Sequence, residues 1–303
     1  MQLLTRREWL CTIPAALAFA HARADASKGL PLGFSLYGMK TLALPDALKA
    51  CRTIGYDGVE FALMPGYPAE PKLLTADDRK GLRTRLADLG LAVHGLMENL
   101  PEPAMDAVHK TNLDRLKAAA ELGHALAPDA PPPIETVLGG KPAEWDKIKD
   151  KLAKRLAAWA EVGKAAKTVI AVKPHVANAL HTLDGAAWLV KQVASPWLRL
   201  AFDFSHFELR GVKLADAVAA LAPLAAFVHV KDAKGTADKF EFLLPGEGTT
   251  DYAVYAKLLA AKYSGPVVVE VSGMISAKTG YDAVAAAKAS YAALAAAFAP
   301  DKK

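Results

Sequence analysis

Short β-rich runs alternate with amphipathic helical stretches from residue 30 onward, and this alternation constrains the fold more than any other feature. The runs lie at 30–38, 58–63, 91–97, 133–139, 168–175, 198–206, 225–233 and 266–273. Most are continuous Val-, Ile- or Phe-rich segments without strict polar alternation, which is typical of parallel strands covered on both faces. Eight strands, each followed by a helix, predict a single (β/α)8 TIM barrel of α/β class.

The stretches between these runs show the three- and four-residue spacing of an apolar helix face. The clearest stripe contains Trp145, Ile148, Leu152, Leu156, Trp159 and Val162. Further helices are predicted at 42–54, 104–123, 182–194, 213–222, 250–263 and 281–299, and Thr75 with Asp78 indicates another helix start. An open doubly wound sheet is the alternative fold. It would normally carry a glycine-rich turn after its first strand, and "YGMKTLALP" is not one.

The composition excludes several function classes. The chain has 303 residues, of which 52% are hydrophobic and 23% charged, so it can bury a sizeable core and is not intrinsically disordered. Its 37 basic and 32 acidic residues give a net charge of +5. This charge is too mild and too dispersed to indicate nucleic acid as a partner. Two cysteines cannot build a disulfide framework or a cysteine-rich zinc site.

Residues 1–26 have the pattern of an export signal. Paired arginines in "TRREWL" precede an apolar stretch that ends at Ala20, and "HARADA" supplies a small-residue cleavage site. Arginine pairs of this kind resemble a twin-arginine signal. An amphipathic first helix is the alternative, whereas a membrane span is disfavoured because it needs about 20 apolar residues. We expect residues 27–303 to form the TIM-barrel domain of a periplasmic protein.

Charged side chains end several predicted strands, at the face where TIM barrels have their active sites. Asp203, His229 and Glu270 end three consecutive strands, each after an apolar run. Because a buried charge needs a partner, these side chains must meet a ligand or each other. A carboxylate–imidazole–carboxylate set suits Mn, Zn, Co, Fe or Mg. The sequence therefore predicts a divalent-metal site, with a buried ion-pair network that includes Lys173 as the alternative.

Other polar residues near the strand ends are candidate substrate contacts, namely Glu60, His94, His175, His206 and Lys231. Glu60 suits a structural hydrogen bond as well as a substrate hydroxyl. The "PGEG" turn predicts a loop over the barrel mouth, in which Gly246 and Gly248 supply conformations that other residues resist. By contrast, His124, His181 and Glu135 are interpreted as surface or packing residues, and Cys51 as a small core residue.

Five motifs occur in a characteristic order, namely "YDGVEF", "LAFDFSH", "FVHVKDA", "LPGEGTTDY" and "YSGPVVVEVS". Together they resemble the sugar phosphate isomerase/epimerase superfamily, also called xylose isomerase-like or AP endonuclease family 2 barrels. The resemblance extends over nearly all of residues 30–299. It implies a divalent metal held by Glu, Asp, His and Glu from strands five to eight. Asp203, His229 and Glu270 match the last three ligands, but the first is replaced by Lys173 in "AVKPH".

Lys173 leaves three interpretations open. In the first, burial and the metal lower the pKa of Lys173, which is then neutral and acts as a base. In the second, His175, two residues further along the same strand face, replaces the missing ligand. In the third, Lys173 takes the place of the metal and pairs with Asp203 and Glu270 in a metal-free barrel.

The resemblance implies an enzyme that acts on a small sugar or keto-sugar. Isomerases and epimerases of this superfamily remove a proton next to a carbonyl group that a metal polarises. Lys173 and Glu270 are the expected catalytic residues. A lyase or dehydratase with Lys173 as the base, and a non-catalytic sugar-binding barrel, are the alternatives. DNA-repair endonucleases of the superfamily cluster more His and Glu ligands, so this function is not expected.

Overall fold

The computed structural model describes residues 29–298, and the predicted signal segment 1–26 lies outside them. Its strands are β1 Leu32–Ser35, β2 Gly58–Ala62, β3 Ala92–Met97, β4 Ile134–Val137, β5 Ile170–Lys173, β6 Leu198–Asp203, β7 Ala225–Val230, β8 Asp232–Thr236, β9 Lys239–Leu243 and β10 Val267–Val269. All except β8 and β9 pair in parallel in a closed barrel, in which β1 joins β10 to β2. The predicted TIM barrel is confirmed.

Helices follow the barrel strands as the apolar spacing predicts. They are α1 Leu44–Ile54, α2 Ala76–Leu89, α3 His109–Leu126, α4 Trp145–Ala166, α5 Leu183–Val193, α6 Ser205–Glu208, α7 Leu214–Leu221, α8 Tyr252–Ala260, α9 Gly273–Ser276 and α10 Ala283–Phe298. Within the described residues, none of these helices combines the length and the apolar character that a membrane crossing requires.

The local signals for helices act as expected. The Thr75 hydroxyl accepts a hydrogen bond from the Asp78 backbone at 3.2 Å, and the Asp78 carboxylate accepts one from the Thr75 backbone at 2.9 Å. This reciprocal cap satisfies two backbone donors that the first turn of α2 cannot pair. In α4, the apolar stripe buries Leu152, Leu156 and Trp159 completely. Such packing, more than intrinsic propensity, stabilises helices of this kind.

Most barrel strands are shorter than the predicted runs, and one run ends in a separate element. The run 225–233 ends as a barrel strand at Val230, and β8 and β9 then form an antiparallel hairpin beside the barrel. The hairpin turns at 237–238, and Gly235 within it has a φ of +105°, a conformation that other residues rarely adopt. Its side chains alternate between polar and apolar, which is typical of a ribbon with one covered face.

The barrel interior has an apolar floor formed by Ala171, Ala201, Phe227 and Val268. Phe227 lies beneath His229, with ring centroids 4.7 Å apart at 80°. Above this floor, towards the carboxyl ends of the strands, the inward-facing side chains become charged. The floor excludes water from one side of these charges, which strengthens every electrostatic interaction among them.

Candidate active site

Seven charged or ionisable side chains meet inside the barrel at the carboxyl ends of its strands. We call them the charged cluster: Glu60 on β2, Glu135 on β4, Lys173 at the end of β5, Asp203 at the end of β6, His229 on β7, Lys231 directly after β7 and Glu270 directly after β10. Strand register explains the convergence, because Asp203 pairs with His229 across β6 and β7, and the Glu270 backbone N–H donates to Val230. Six of the seven are less than 5% exposed.

Lys173 contacts three members of the charged cluster. Its Nζ lies 2.9 Å from Nδ1 of His229, 3.2 Å from Oε1 of Glu135 and 3.2 Å from Oε2 of Glu270. Burial lowers the pKa of Lys173, but the surrounding carboxylates, chiefly Glu135 and Glu270, more than offset this and raise it above its ordinary value. Lys173 is therefore held as an ammonium ion.

Lys231 joins two carboxylates from neighbouring strands. Its Nζ donates a hydrogen bond to Oδ2 of Asp203 and another, of 2.5 Å, to Oε2 of Glu270. The same ammonium group lies 4.8 Å from the ring centroid of Phe242 on β9, which adds a cation–π contact. The hairpin therefore covers one side of the charged cluster.

Glu270 is the most accessible of the four carboxylates, and one of its oxygens, Oε2, accepts a hydrogen bond from Lys231 and forms an ion pair with Lys173. Its side chain is 12% exposed, whereas those of Glu60 and Asp203 are 0% exposed. Burial raises the pKa of Glu270, but Lys173, Lys231 and His229 more than offset this and hold it well below its usual range. Glu270 is thus an ionised carboxylate at the barrel mouth.

Asp203 is bound on its other oxygen by its own chain. Oδ1 accepts from the Ser205 backbone at 3.1 Å and from the Ser205 hydroxyl at 2.7 Å. His206 lies on the remaining side, with its Nε2 3.5 Å from Oδ2 of Asp203 and its Nδ1 accepting from the Val176 backbone at 3.3 Å. Burial, together with His175 and Lys231, lowers the pKa of His206 well below its ordinary value, so its imidazole is neutral.

Aromatic and sulfur-containing side chains form the wall of the mouth beside β1, β2 and β3. The rings of Tyr37 and Tyr67 stack at 5.6 Å and 16°, and they pack with Ala62, Met64 and Met97. Burial and the nearby negative charge of Glu270 raise the pKa of Tyr37. An apolar surface therefore lies close to the exposed carboxylate.

Comparisons with known proteins agree with this architecture. A family model described as xylose isomerase-like TIM barrel matches residues 48–296. The chain belongs to this family. A comparison with curated proteins gave no match.

Three solved structures illustrate the likeness of fold. The E. coli 3-keto-D-glucoside 4-epimerase YcjR is 20% identical with a TM-score of 0.68, covering 88% of this chain and 99% of its own. The probable 3-DHS dehydratase AsbF of Bacillus anthracis is 16% identical with a TM-score of 0.73, covering 88% and 98%. The IOLI protein, whose structure holds a zinc atom, is 18% identical with a TM-score of 0.71, covering 89% and 99%.

Within residues 29–298, two groups of side chains have the residue types of a metal site. One potential ligand atom from each of Asp203, His229 and Glu270 lies within 4.8 Å of the others, and Glu60, Glu135 and His229 form a second such set. In the first set, however, ammonium groups already contact the ligand atoms. A divalent ion would be repelled by both lysines and would have to displace them. With Lys173 and Lys231 in place, the first set does not fit a divalent metal.

The three interpretations of Lys173 can now be separated. In the first interpretation burial and a metal lower the pKa of Lys173, but in the cluster without a metal the nearby carboxylates outweigh burial and raise it. Replacement of the missing ligand by His175 is not supported either, since neither candidate metal set contains it and its Nδ1 accepts from the Ala177 backbone at 3.2 Å. The third interpretation needs one correction: Lys173 pairs with Glu135 and Glu270, and Lys231 takes the place expected for Lys173 beside Asp203.

Glu135 was expected to be a surface or packing residue, and this is wrong. It is fully buried and its carboxylate lies in the charged cluster 3.2 Å from Lys173. Burial raises the pKa of Glu135, and Lys173 opposes the rise. A charged residue within the apolar run "PIETV" is the signal that could have identified it, because the same signal identified Glu60 and Glu270.

The remaining predicted contacts differ in position. Glu60 faces inward and its Oε2 lies 3.0 Å from Nε2 of His229, so it binds a member of the cluster. His175 lies at the mouth, with its ring centroid 4.1 Å from that of His206. His94 is deeper in the barrel, where its ring occupies the space above Gly33 and Gly58 that a Cβ atom would need. His94 is buried by the protein itself, so its burial does not indicate a substrate contact.

Proposed function

We propose that this barrel is an enzyme that acts on a small sugar or keto-sugar by moving a proton at the carbon next to a carbonyl group. The observation that carries the proposal is the position of Glu270, a partly exposed carboxylate held between two buried ammonium groups. A base beside two hydrogen-bond donors is the arrangement that proton abstraction next to a carbonyl requires. The names of the epimerase and dehydratase neighbours support this chemistry.

The proposed step begins with Glu270. Its carboxylate takes the proton from the carbon, the electron pair of the broken C–H bond forms a C=C bond, and the π pair of the C=O bond moves to the oxygen, which gives an enediolate. Without substrate, Lys231 donates to Glu270 and Lys173 forms an ion pair with it. Both ammonium groups turn to donate hydrogen bonds to this oxygen as its negative charge develops. Glu270 then returns the proton to the former carbonyl carbon. The proton of the hydroxyl group on the first carbon moves to the former carbonyl oxygen, so that the first carbon becomes the new carbonyl.

One accessible carboxylate favours isomerisation over epimerisation. Inversion at a carbon needs a proton donor on the opposite face, whereas transfer between neighbouring carbons on one face needs a single base. In the charged cluster, Glu60, Glu135 and Asp203 are all 0% exposed, and only Glu270 reaches the mouth. The stacked tyrosines beside it offer an apolar surface to a sugar ring.

Elimination of water is the second candidate, because the same cluster contains a proton donor. An ammonium group beside Glu270 can protonate a departing hydroxyl group after the carboxylate has removed the proton on the adjacent carbon. This reaction uses Lys173 as an acid and not as the expected base. The products distinguish the two reactions, since elimination forms an unsaturated keto-sugar that absorbs in the ultraviolet.

Proton exchange in deuterated water tests the proposal. The full chain is incubated with aldoses, ketoses and keto-sugars, and deuterium incorporation is followed by NMR. We expect exchange with at least one sugar, and a loss of about 100-fold or more in Glu270→Gln. Glu241→Gln, at an exposed position of the hairpin, is the matched control. Sugar binding without exchange or product would instead indicate a non-catalytic sugar-binding barrel.

We also propose that the protein is exported through the twin-arginine pathway and works in the periplasm. The support is the paired arginines, apolar stretch and cleavage site within residues 1–26. A cleaved signal would also remove Cys11 and leave Cys51, which is buried. Mass spectrometry of the protein from a periplasmic extract tests this, and a chain there that begins at Met1 contradicts it.

A further inference from the structure

We infer that Lys173 and Lys231 together replace the divalent cation that the family resemblance implies. The two ammonium groups then supply the positive charge of the site. The inference deepens the proposed function and rests on it for the role of the two charges. It concerns the same site, but it makes a separate claim about metal binding. That claim can be measured without any substrate.

The first support is the identity of the atoms that the two lysines contact. Lys231 donates to Asp203 and Glu270, and Lys173 lies against His229 and the same Glu270 oxygen. Between them, the two Nζ atoms therefore reach all three side chains of the first candidate metal set. These contacts place positive charge where a metal coordinated by the set would lie.

The second support is that both ammonium groups are built into the barrel. The side chains of Lys173 and Lys231 are 3% and 2% exposed, and each is fixed by at least two carboxylates. Glu135 accepts no hydrogen bond within the described residues, so its ion pair with Lys173 is the contact that balances its buried charge. Surface lysines do not show this combination of burial and partners.

The third support is the amount of positive charge that the two lysines supply. Four carboxylates, from Glu60, Glu135, Asp203 and Glu270, surround the two ammonium groups. The two lysines supply the same charge as one divalent ion. A metal ion added at the same ligand atoms would be repelled by both ammonium groups, which already contact those atoms within a few ångströms.

Two consequences follow for metal binding. The native chain should bind Zn²⁺ or Mn²⁺ at this site weakly or not at all. Removal of the lysine charges should expose a metal site with ligands from Asp203, Glu270 and Nδ1 of His229, the ring nitrogen that faces Lys173. Glutamate at position 173 would add a fourth ligand and match the family pattern.

Calorimetric titration of the full chain with ZnCl₂ and with MnCl₂ tests the inference. The variants are Lys173→Glu, Lys231→Met and the double substitution, and the matched control is Lys234→Met on the exposed face of the hairpin. We expect no saturable binding by the wild type or the control. The double variant should bind one ion per chain, about 100-fold or more tighter than the wild type. Visible absorption of bound Co²⁺ would identify coordination by the protein.

Tight binding of one ion by the wild type, abolished by Asp203→Ala, would overturn the inference. A double variant that is folded by circular dichroism but binds no metal would overturn it as well. If the double variant does not fold, the wild-type titration and the effect of EDTA on deuterium exchange still test the inference. EDTA should leave the exchange rate of the wild type unchanged. Absence of exchange with every sugar counts against the proposed function and leaves the metal result standing.

Discussion

The ammonium nitrogen of Lys173 lies 2.9 Å from Nδ1 of His229. An ammonium group can only donate, so Nδ1 must be the acceptor and the ring proton must be on Nε2. On that side, Oε2 of Glu60 lies 3.0 Å away and accepts. The contact therefore selects one tautomer of His229 and makes its ring a bridge between a buried cation and a buried carboxylate.

Nitrogen-15 NMR of the histidine side chains can observe this tautomer. Near neutral pH, we expect His229 to give the pattern of a ring protonated on Nε2, because both of its neighbours require it. His229→Gln assigns the signals. In Lys173→Met the Nδ1 atom loses its donor, and its shift should change. A ring protonated on Nδ1 in the wild type would contradict the proposed charge state of Lys173.

Removal of Lys231 should destabilise the fold strongly. Lys231→Met keeps much of the side-chain volume but deprives the buried carboxylate of Asp203 and the partly exposed carboxylate of Glu270 of a donor. Breaking a buried ion pair from one side costs about 3–5 kcal/mol, because the remaining charge stays buried. The measurement is the free energy of unfolding in urea near neutral pH.

Lys234→Met is the matched control for this substitution. Lys234 forms an ion pair of 3.2 Å with Glu241, but the two side chains are 60% and 56% exposed. Exposed pairs contribute little because water screens them. The expected change in the free energy of unfolding is below about 1 kcal/mol. Equal effects at the two positions would show that the Lys231 contacts are not a buried network.

The fold could be predicted from the sequence because each barrel element has a local signal. Apolar runs separated by amphipathic helices locate the strands, and a polar residue at the end of a run marks the inner face of the barrel. Asp203, His229 and Glu270 were identified in this way. The end of the run 225–233 differs for a physical reason: after Val230 the chain leaves the barrel and forms a hairpin, and local pattern does not show where a strand leaves its sheet.

The contacts inside the charged cluster could not be predicted, because they depend on register across the whole barrel. Lys173 and Lys231 have similar sequence surroundings, and the spacing of residues does not say which of them reaches Asp203. Closure of eight strands also places Glu135 of β4 beside Lys173 of β5. Distances between side chains on different strands are set by tilt and stagger, which no single strand encodes.

Asp232 fixes the loop that the sequence predicted over the mouth. Its Oδ2 accepts from the backbones of Gly246 and Gly248 at 2.8 Å each, and its Oδ1 accepts from the Tyr252 hydroxyl at 2.9 Å. A Cβ atom at position 248 would also collide with the Asp232 side chain. Asp232→Ala should therefore release the loop 244–250.

Hydrogen exchange detects this release. We expect the amides of 244–250 in Asp232→Ala to lose protection, with a cost in the free energy of unfolding of about 2 kcal/mol, because hydrogen bonds to a buried carboxylate are lost. Asp238→Ala, at the exposed turn of the hairpin, is the control and should leave exchange in the loop unchanged. Unaltered protection in Asp232→Ala would mean that other contacts hold the loop.

His175 should make the protein sensitive to mild acid. Burial, together with Lys231 and Lys173, lowers its pKa from 6.5 to about 4. The unfolded chain therefore binds the proton first, and the stability contributed by neutral His175 is lost as the pH falls from about 6.5 towards 4. At about pH 5 this loss reaches at most about 2 kcal/mol. His206, whose pKa is also lowered, acts in the same direction.

Urea unfolding at about pH 7 and at about pH 5 tests the contribution of His175. In His175→Gln, which cannot gain a proton, we expect the loss of stability between the two pH values to be smaller by about 1–2 kcal/mol than in the wild type. His181→Gln, on a ring that binds the Ala179 carbonyl outside the charged cluster, is the control. The same pH dependence in wild type and His175→Gln would show that Lys173 and Lys231 do not disfavour a protonated His175 ring.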